Sequence, residues 1–166
     1  MDILKSSKKM KVKIKAAKGV KKLEIIKKGD WIDLYANEKV HLSNRGPSKI
    51  TYIPLGVCME LPKGFEAHVL ARSSTPEKFG FIMANSMGII DNSYCGNNDE
   101  WKVNAIAFSA TEIHIGDKIA QFEIVPSAKA TFWQKLKWLF SSKIEFVEVE
   151  CLEHHDRGGF GSTGSK

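Results

Sequence analysis

Short segments that mix apolar and polar positions run through most of this chain. Residues 11–17, KVKIKAA, alternate with the period of two that is typical of a half-buried strand. Turn residues such as Pro62 and Gly64 separate the later segments, which favours many short strands. The segments that predict strands are 11–17, 23–26, 29–36, 50–61 (interrupted at Pro54 and Gly56), 65–71, 101–108, 119–125 and 144–149. This spacing predicts an all-β sandwich or barrel in which helix is the minority element.

Two segments break the strand pattern. Ser74 or Thr75 can cap a helix whose first position suits Pro76, so one short helix is predicted there. Apolar residues recur at roughly helical spacing within 131–143, which predicts a second helix at about 131–142. We favour packing of this second helix on its own domain, because a soluble protein rarely leaves a large apolar patch bare. The alternative is an amphipathic helix that docks on a partner or on a lipid surface.

Length and composition indicate one domain with tails. The 166 residues suit a basic N-terminal tail at 1–9, a single β domain at 10–153 and a glycine-rich C-terminal arm at 154–166. No apolar run reaches the ~20 residues that a membrane span needs, and the three scattered cysteines suit a reducing compartment. We therefore expect a cytoplasmic protein without a membrane partner.

The net charge of +6 is concentrated in the first 28 residues. A solvated strand and tail explain these lysines as well as a nucleic-acid arm would, and no nucleic-acid signature accompanies them. We expect no stable nucleic-acid partner.

The stretch 85–101 carries the chemistry that organises the chain. Gly88 and Gly96 suggest bends with positive φ, and hence a hairpin with a pocket in its mouth. Asp91 ends the apolar pair at 89–90, and a carboxylate beside a bound ligand can take a proton from water. Tyr94 can lie against an apolar ligand surface. The alternative is a tight turn with a capping Asp and a half-buried Tyr.

Other segments offer groups for an anion. Arg72, Ser73 and Ser74 precede the first predicted helix and suit a phosphate cradle, although plain capping is an alternative. Gln121 within an apolar strand needs a partner, either backbone or ligand. The tail 156–166 combines glycines with an Arg, a Phe and hydroxyls, which suits an arm over a planar phosphorylated ligand or a disordered tail. Together these segments indicate a nucleoside-polyphosphate site, while the signatures of P-loop, dinucleotide-binding and zinc deaminase proteins are absent from the sequence.

Five motifs in order resemble those of the trimeric dUTP diphosphatases (dUTPases) of Gram-positive bacteria and their phages. They cover nearly the whole chain and are DLYA at 33–36, RSS at 72–74, GIIDNSYCG at 88–96, GDKIAQ at 116–121 and RGGFGSTG at 157–164. The resemblance implies a homotrimer of jelly-roll (β-clip) subunits with a flexible C-terminal arm. It also implies Mg²⁺-dependent hydrolysis of dUTP to dUMP and pyrophosphate.

The resemblance assigns roles to individual residues. Asp91 would be the general base that activates the water attacking the α-phosphate, and Asp33 would act on the metal indirectly, through water. Tyr94 would pack beneath the deoxyribose and Phe160 would stack over uracil. The remaining substrate-binding residues would be Asn85, Gly88 and Ile90 at the uracil edge, and Arg72, Ser73, Ser74, Gln121, Arg157, Gly161, Ser162 and Thr163 at the phosphates.

Two rival functions stay open. One is a dCTP deaminase-like nucleotide enzyme, although the catalytic Glu expected of such an enzyme is not found near 72–74. The other is a regulatory role in which the 131–143 insertion binds a protein partner. Membrane binding through the same insertion is a third and less favoured interpretation.

Overall fold

The computed structural model describes residues 9–24, 31–45, 49–140 and 144–159. Strands dominate these residues, so the predicted all-β class is confirmed, and two helices interrupt them. The strands are β1 (Met10–Ala16), β2 (Ile32–Tyr35), β3 (Val40–Leu42), β4 (Thr51–Pro54), β5 (Val57–Glu60), β6 (Phe65–Ala71), β7 (Phe81–Met83), β8 (Gly88–Asp91), β9 (Lys102–Ala107), β10 (Thr111–Ile113), β11 (Lys118–Pro126) and β12 (Ile144–Glu148). The helices are α1 (Thr75–Phe79) and α2 (Phe132–Phe140).

The described strands form four small sheets. Their strand orders are β2-β11-β6-β8, β4-β9-β7, β12-β1-β5 and β10-β3. Every pairing is antiparallel except that of β1 with β12, which brings Met10 beside Ile144. The long strand β6 therefore lies between β11 and β8, and it links the two parts of the chain where site residues are predicted.

One hydrophobic core joins the four sheets. Alternate residues of β6 point into it, and Phe65, Ala67 and Val69 are buried while their neighbours are partly exposed. Trp101 and Phe122 meet edge to face at its centre, with ring centroids 5.2 Å apart. Burial of such large rings is the main favourable contribution to folding. The core thereby fixes the strands from which the site residues project.

The pattern of the sequence places most elements correctly. The predicted strand at 65–71 is β6, and the segment 50–61 divides into β4 and β5 at Gly56, whose φ is +67°. The helices predicted after Ser74 and near 131–142 are α1 and α2. Residues 23–24 are not strand, and 25–26 lie outside the described residues. The strands β3, β7 and β10 were not predicted, because three residues are too short to show a period.

The hairpin predicted at 88–96 is wrong. Gly88–Asp91 forms the edge strand β8, which pairs with β6 rather than with the residues that follow it. Neither Gly88 nor Gly96 is among the described residues with positive φ. Gly96 is required for another reason, since a Cβ there would lie 2.3 Å from Asp156 Oδ1 and 2.4 Å from Asp156 Cα. A glycine at 96 thus allows close approach of the C-terminal segment.

The 131–143 helix contacts its own domain through Gln134 and Trp138, but its apolar face is not buried there. No side chain of α2 is buried, and Trp133 is 74% exposed. The helix begins at a capping box in which Thr131 N–H donates to Gln134 Oε1, and the Gln134 N–H donates to Thr131 Oγ1. Neither described helix is long and apolar enough to cross a membrane.

Candidate active site

A cleft of about 250 Å³ opens beside β8. Its floor is the backbone of Gly88–Asp91, and its walls come from the segment around Tyr94 and from the C-terminal segment at Arg157. The residues that line it are Leu55, Val69, Asn85, Gly88, Ile89, Ile90, Asp91, Tyr94, Trp101, Lys102, Arg157, Gly158 and Gly159. A Cβ on Gly88 would lie 3.5 Å from Val69 Cβ and 3.7 Å from Asn85 Nδ2, which are ordinary van der Waals distances. The structure thus brings together Asn85, Gly88, Ile90, Asp91, Tyr94 and Arg157 from the predicted site.

Asp91 presents a half-exposed carboxylate at this cleft. Ser93 donates to its Oδ1 from the backbone N–H at 2.8 Å and from the hydroxyl, and Arg157 Nη1 donates to its Oδ2 at 2.8 Å. Partial burial on its own would raise the pKa of Asp91, but the Ser93 hydrogen bonds and the Arg157 guanidinium outweigh it. The pKa therefore lies below its ordinary value, and at neutral pH the carboxylate is ionised and able to accept a proton.

Tyr94 forms a fixed aromatic wall of the cleft. Its hydroxyl donates to the Glu100 carbonyl oxygen at 3.0 Å, and burial together with nearby acidic groups raises the pKa of Tyr94 to about 12. A Cβ on Gly159 would lie 3.0 Å from the Tyr94 ring, so the C-terminal segment runs directly over that ring. Tyr94 is therefore a neutral, immobilised surface suited to packing against an apolar ligand face.

The C-terminal segment is held by Asp99, a residue that the sequence did not single out. Asp99 is 1% exposed, and its Oδ2 accepts from Gly96 N–H at 2.8 Å and Arg157 N–H at 2.9 Å. Its Oδ1 accepts from Gly158 N–H at 2.9 Å. Three backbone donors on one buried carboxylate form a strong, charge-assisted clamp. Within the run NNDE at 97–100 an Asp looks like an ordinary turn residue, so only the fold reveals this function.

Two asparagines extend the clamp. The Asn97 amide donates to the Leu152 carbonyl at 2.7 Å and accepts from Leu152 N–H at 2.9 Å. Asn98 donates to both carboxylate oxygens of Asp156, at 2.8 Å and 2.6 Å. The loop at 96–99 thus binds residues 152–158 of the same chain, and it holds Arg157 beside Asp91.

The predicted phosphate-binding residues form a second group around Asp33. Asp33 is 3% exposed, and its carboxylate pairs with Arg72 Nε at 2.9 Å and Lys118 Nζ at 2.8 Å. The hydrogen bond and charge of Asp33 raise the pKa of Lys118. Gln121 lies opposite Asp33 in the register between β11 and β2. The structure therefore brings Asp33, Arg72 and Gln121 to one region.

Ser73 and Ser74 lie in the turn that leads into α1. Ser74 is the N-cap residue, yet its side chain makes no capping hydrogen bond, so plain capping does not account for its hydroxyl. The buried Thr75 instead anchors the helix start through its hydroxyl, which donates to the Ile119 carbonyl at 2.8 Å. The two serines thus stand beside Arg72 with hydroxyls that the helix does not use.

These two groups of residues do not meet within one chain. Asp91 lies opposite Glu66 near the start of β6, whereas Arg72 follows the end of that strand. Six residues of extended chain separate Glu66 from Arg72, or about 20 Å at ~3.3 Å per residue. None of the second group lines the cleft. Phe160, Gly161, Ser162 and Thr163 lie outside the described residues.

The part of the chain that the structure describes holds no protein-ligated metal centre. Among the described residues, no group of three or more His, Cys, Asp or Glu side chains is arranged to hold a metal ion. Asp33, the residue expected to act on the metal through water, already has two cationic partners. A hard cation here would need most of its oxygen ligands from water or from a bound nucleotide.

The mostly-β architecture is that of the jelly-roll dUTPases. The dUTPase of Streptococcus mutans superposes with a TM-score of 0.61 at 20% identity, covering 71% of this chain and 98% of that one. A mutant dUTPase of Staphylococcus bacteriophage 80alpha in complex with dUpNHpp gives a TM-score of 0.58 at 20% identity, covering 92% of this chain and 98% of that one.

Sequence comparison gives the family. The dUTPase family model matches residues 29–164. The SPbeta prophage-derived deoxyuridine 5'-triphosphate nucleotidohydrolase of Bacillus subtilis is 43% identical over 158 residues, covering 95% of this chain and all of that relative. The corresponding enzyme of Thermoanaerobacter is 34% identical over 135 residues, covering 80% of each chain. This chain therefore belongs to the dUTPase family, the enzymes that hydrolyse dUTP.

Proposed function

We propose that this protein hydrolyses dUTP to dUMP and pyrophosphate, with Asp91 as the general base. The observation that carries the proposal is the ionised, half-exposed Asp91 carboxylate in a cleft floored by β8. A water oxygen forms a bond to the α-phosphorus and gives its proton to Asp91, while the bond to the bridging oxygen breaks and pyrophosphate leaves. Loss of such a base costs ~10²–10⁴-fold in rate.

The cleft has the right groups to select the nucleoside. The backbone of Gly88–Asp91 and the Asn85 amide offer donors and acceptors to the uracil edge, since β8 is an edge strand with one side unpaired in the described chain. Tyr94 packs beneath the deoxyribose and excludes a 2′-hydroxyl. Phe160, Gly161, Ser162 and Thr163 follow the anchored segment in sequence and would close over the base and the phosphates.

Arg157 links the base to the phosphates. Its guanidinium pairs with the Asp91 carboxylate at 2.8 Å. A triphosphate carries more negative charge than one carboxylate and accepts a guanidinium fork in the same way. Substrate would therefore draw Arg157 from Asp91 to the phosphates and free the carboxylate for the attacking water.

We further propose a homotrimer with shared sites. The cleft of one chain lacks the phosphate-binding group, and Arg72 is about 20 Å from the level of Asp91 along β6. A site that needs both groups is completed when a neighbouring copy brings its Arg72, Ser73, Ser74 and Gln121 to the cleft. Three such copies form a closed ring, the arrangement that a head-to-tail contact of this kind favours.

The reaction would be Mg²⁺-dependent, with the ion arriving on the nucleotide. Magnesium prefers phosphate oxygens and keeps several waters, which suits a chain without a protein-ligated centre among its described residues. Bound there, the ion would neutralise phosphate charge and orient the triphosphate. Asp33 would act at a distance, through water and by holding Arg72 in place.

The activity fits a simple role in nucleotide metabolism. Removal of dUTP limits uracil in DNA, and the product dUMP is the substrate of thymidylate synthesis.

The test of the proposed activity is release of pyrophosphate from dUTP, compared with release from UTP, dTTP and dCTP, with ammonia measured in parallel. We expect pyrophosphate from dUTP alone. Ammonia from dCTP would support the deaminase-like alternative instead, and an absence of any turnover would contradict the proposal.

A further inference from the structure

The helix α2 is attached to the domain by one face only. Gln134 Nε2 donates to the Lys63 carbonyl at 2.7 Å, and Trp138 Nε1 donates to the Ile124 carbonyl at 3.3 Å. Gln134 and Trp138 are four residues apart, so they lie on the same side of the helix. That side faces the domain, and the opposite side faces solvent.

The solvent-facing side is the apolar one. Its exposed side chains are Phe132 at 69%, Trp133 at 74%, Leu139 at 68% and Phe140 at 69%. Leu136 lies between them and is half-buried. Phe132, Leu136 and Phe140 recur every four residues, which makes a continuous stripe. Monomeric soluble proteins rarely expose such a stripe, and where they do it marks an interaction surface.

Positive charge surrounds this stripe. Lys135 and Lys137 flank it on the helix, whose sequence FWQKLKWLF contains no acidic residue. Lys63 and Lys129 lie near the start of the helix, where they line a groove shared with Thr131 and Gln134.

Two carboxylates line the same groove, and each has a partner of its own. Glu66 hydrogen-bonds His68, and Asp91 pairs with Arg157. The rim of the stripe is therefore cationic, and it complements a surface that is apolar within and anionic at its edge.

We propose that α2 docks by its apolar stripe on an anionic lipid surface. An amphipathic helix with lysines on its flanks and aromatic rings on its apolar face lies in the plane of a membrane interface, where anionic lipids attract the lysines. Tryptophan has a particular preference for that interface. The nine residues of α2 suit a helix that rests on the surface.

Flotation of the full chain with vesicles tests this proposal. Vesicles of phosphatidylglycerol and phosphatidylcholine should carry the protein, pure phosphatidylcholine vesicles should carry at least tenfold less, and added salt should weaken the binding. The double variant Trp133→Lys with Leu139→Lys adds positive charge but removes the apolar stripe, and we expect at least tenfold weaker binding. Lys135→Glu with Lys137→Glu keeps the stripe, and we expect a similar loss. Both variants should hydrolyse dUTP normally.

Three results would overturn the proposal. The first is failure of the full chain to float with anionic vesicles. The second is flotation that the Trp133→Lys, Leu139→Lys variant retains, since charge alone would then explain it. The third is a Trp133→Lys, Leu139→Lys variant that fails to float and also loses its oligomer, as measured by light scattering. That result would assign the stripe to a contact between copies.

Discussion

Replacement of Asp99 by Asn should release the C-terminal segment while leaving the fold intact. The buried carboxylate accepts from three backbone N–H groups, those of Gly96, Arg157 and Gly158. The Asn side chain has the same shape, but an NH₂ group replaces one of the two acceptor oxygens. At least one of the three backbone N–H groups would then point at this NH₂ group and lose its hydrogen bond. A hydrogen bond to a charged group contributes about 1.5–3 kcal/mol. Opening of the segment should therefore become roughly 10–100-fold more frequent, at 1.4 kcal/mol per factor of ten.

Trypsin reports this opening directly. The bond after Arg157 is a tryptic site whose two flanking amides are both held by Asp99, and cleavage there releases the peptide GGFGSTGSK. When opening is fast relative to cleavage, the rate of release follows the open population. We expect release to accelerate roughly 10–100-fold in Asp99→Asn, in line with the opening free energy. The value of kcat/KM for dUTP should fall with it.

The matched control is Glu145→Gln, which removes an exposed carboxylate on β12. It should change neither the rate of peptide release nor the turnover. A double variant with Arg157→Ala separates positioning from general instability, because Asp99→Asn should then cost little further activity. Wild-type peptide release together with wild-type kcat/KM in Asp99→Asn would refute the clamp.

Three further outcomes follow from the geometry. Ser93→Ala removes a hydroxyl that lowers the pKa of Asp91, so the acid limb of the kcat/KM profile should move to higher pH; an unmoved limb would contradict the role of the hydrogen bond. Gly96→Ala places a Cβ within 2.6 Å of the Asp156 backbone, and it should destabilise by about 1–3 kcal/mol in thermal melts with loss of turnover. If copies share their sites as proposed, oligomers mixed from Asp91→Ala and Arg72→Ala chains should regain activity that neither variant has alone; confirmed mixed oligomers without recovery would argue for self-contained sites.

The period-two pattern and the turn residues were enough to predict the β class and most strands. They succeed where burial alternates, as along β6, because side chains on successive residues point to opposite faces. The short edge strands have too few residues to show alternation. The wrong hairpin at 88–96 arose because glycine suggests positive φ, while here Gly96 serves close packing against Asp156.

The site was predictable in kind but not in arrangement. Asp91 and Tyr94 stand in one motif, so their proximity follows from the sequence, whereas Asp99 has no signature until the chain folds back at Gly158. The distance between Asp91 and Arg72 along β6 likewise depends on strand register. The orientation of α2 could not be predicted, because an apolar stripe has the same periodicity whether it faces the core or solvent.

The measurement that tests the central claim most directly is a comparison of Asp91→Asn with the wild type. The amide cannot take the proton of the attacking water, yet it preserves the shape of the cleft beside β8. We expect kcat for dUTP to fall ~10²–10⁴-fold while the Kd for a non-hydrolysable dUTP analogue, measured by calorimetry, changes little. A variant that binds the analogue normally and turns over dUTP within a few-fold of the wild type would contradict the role of Asp91 as the base.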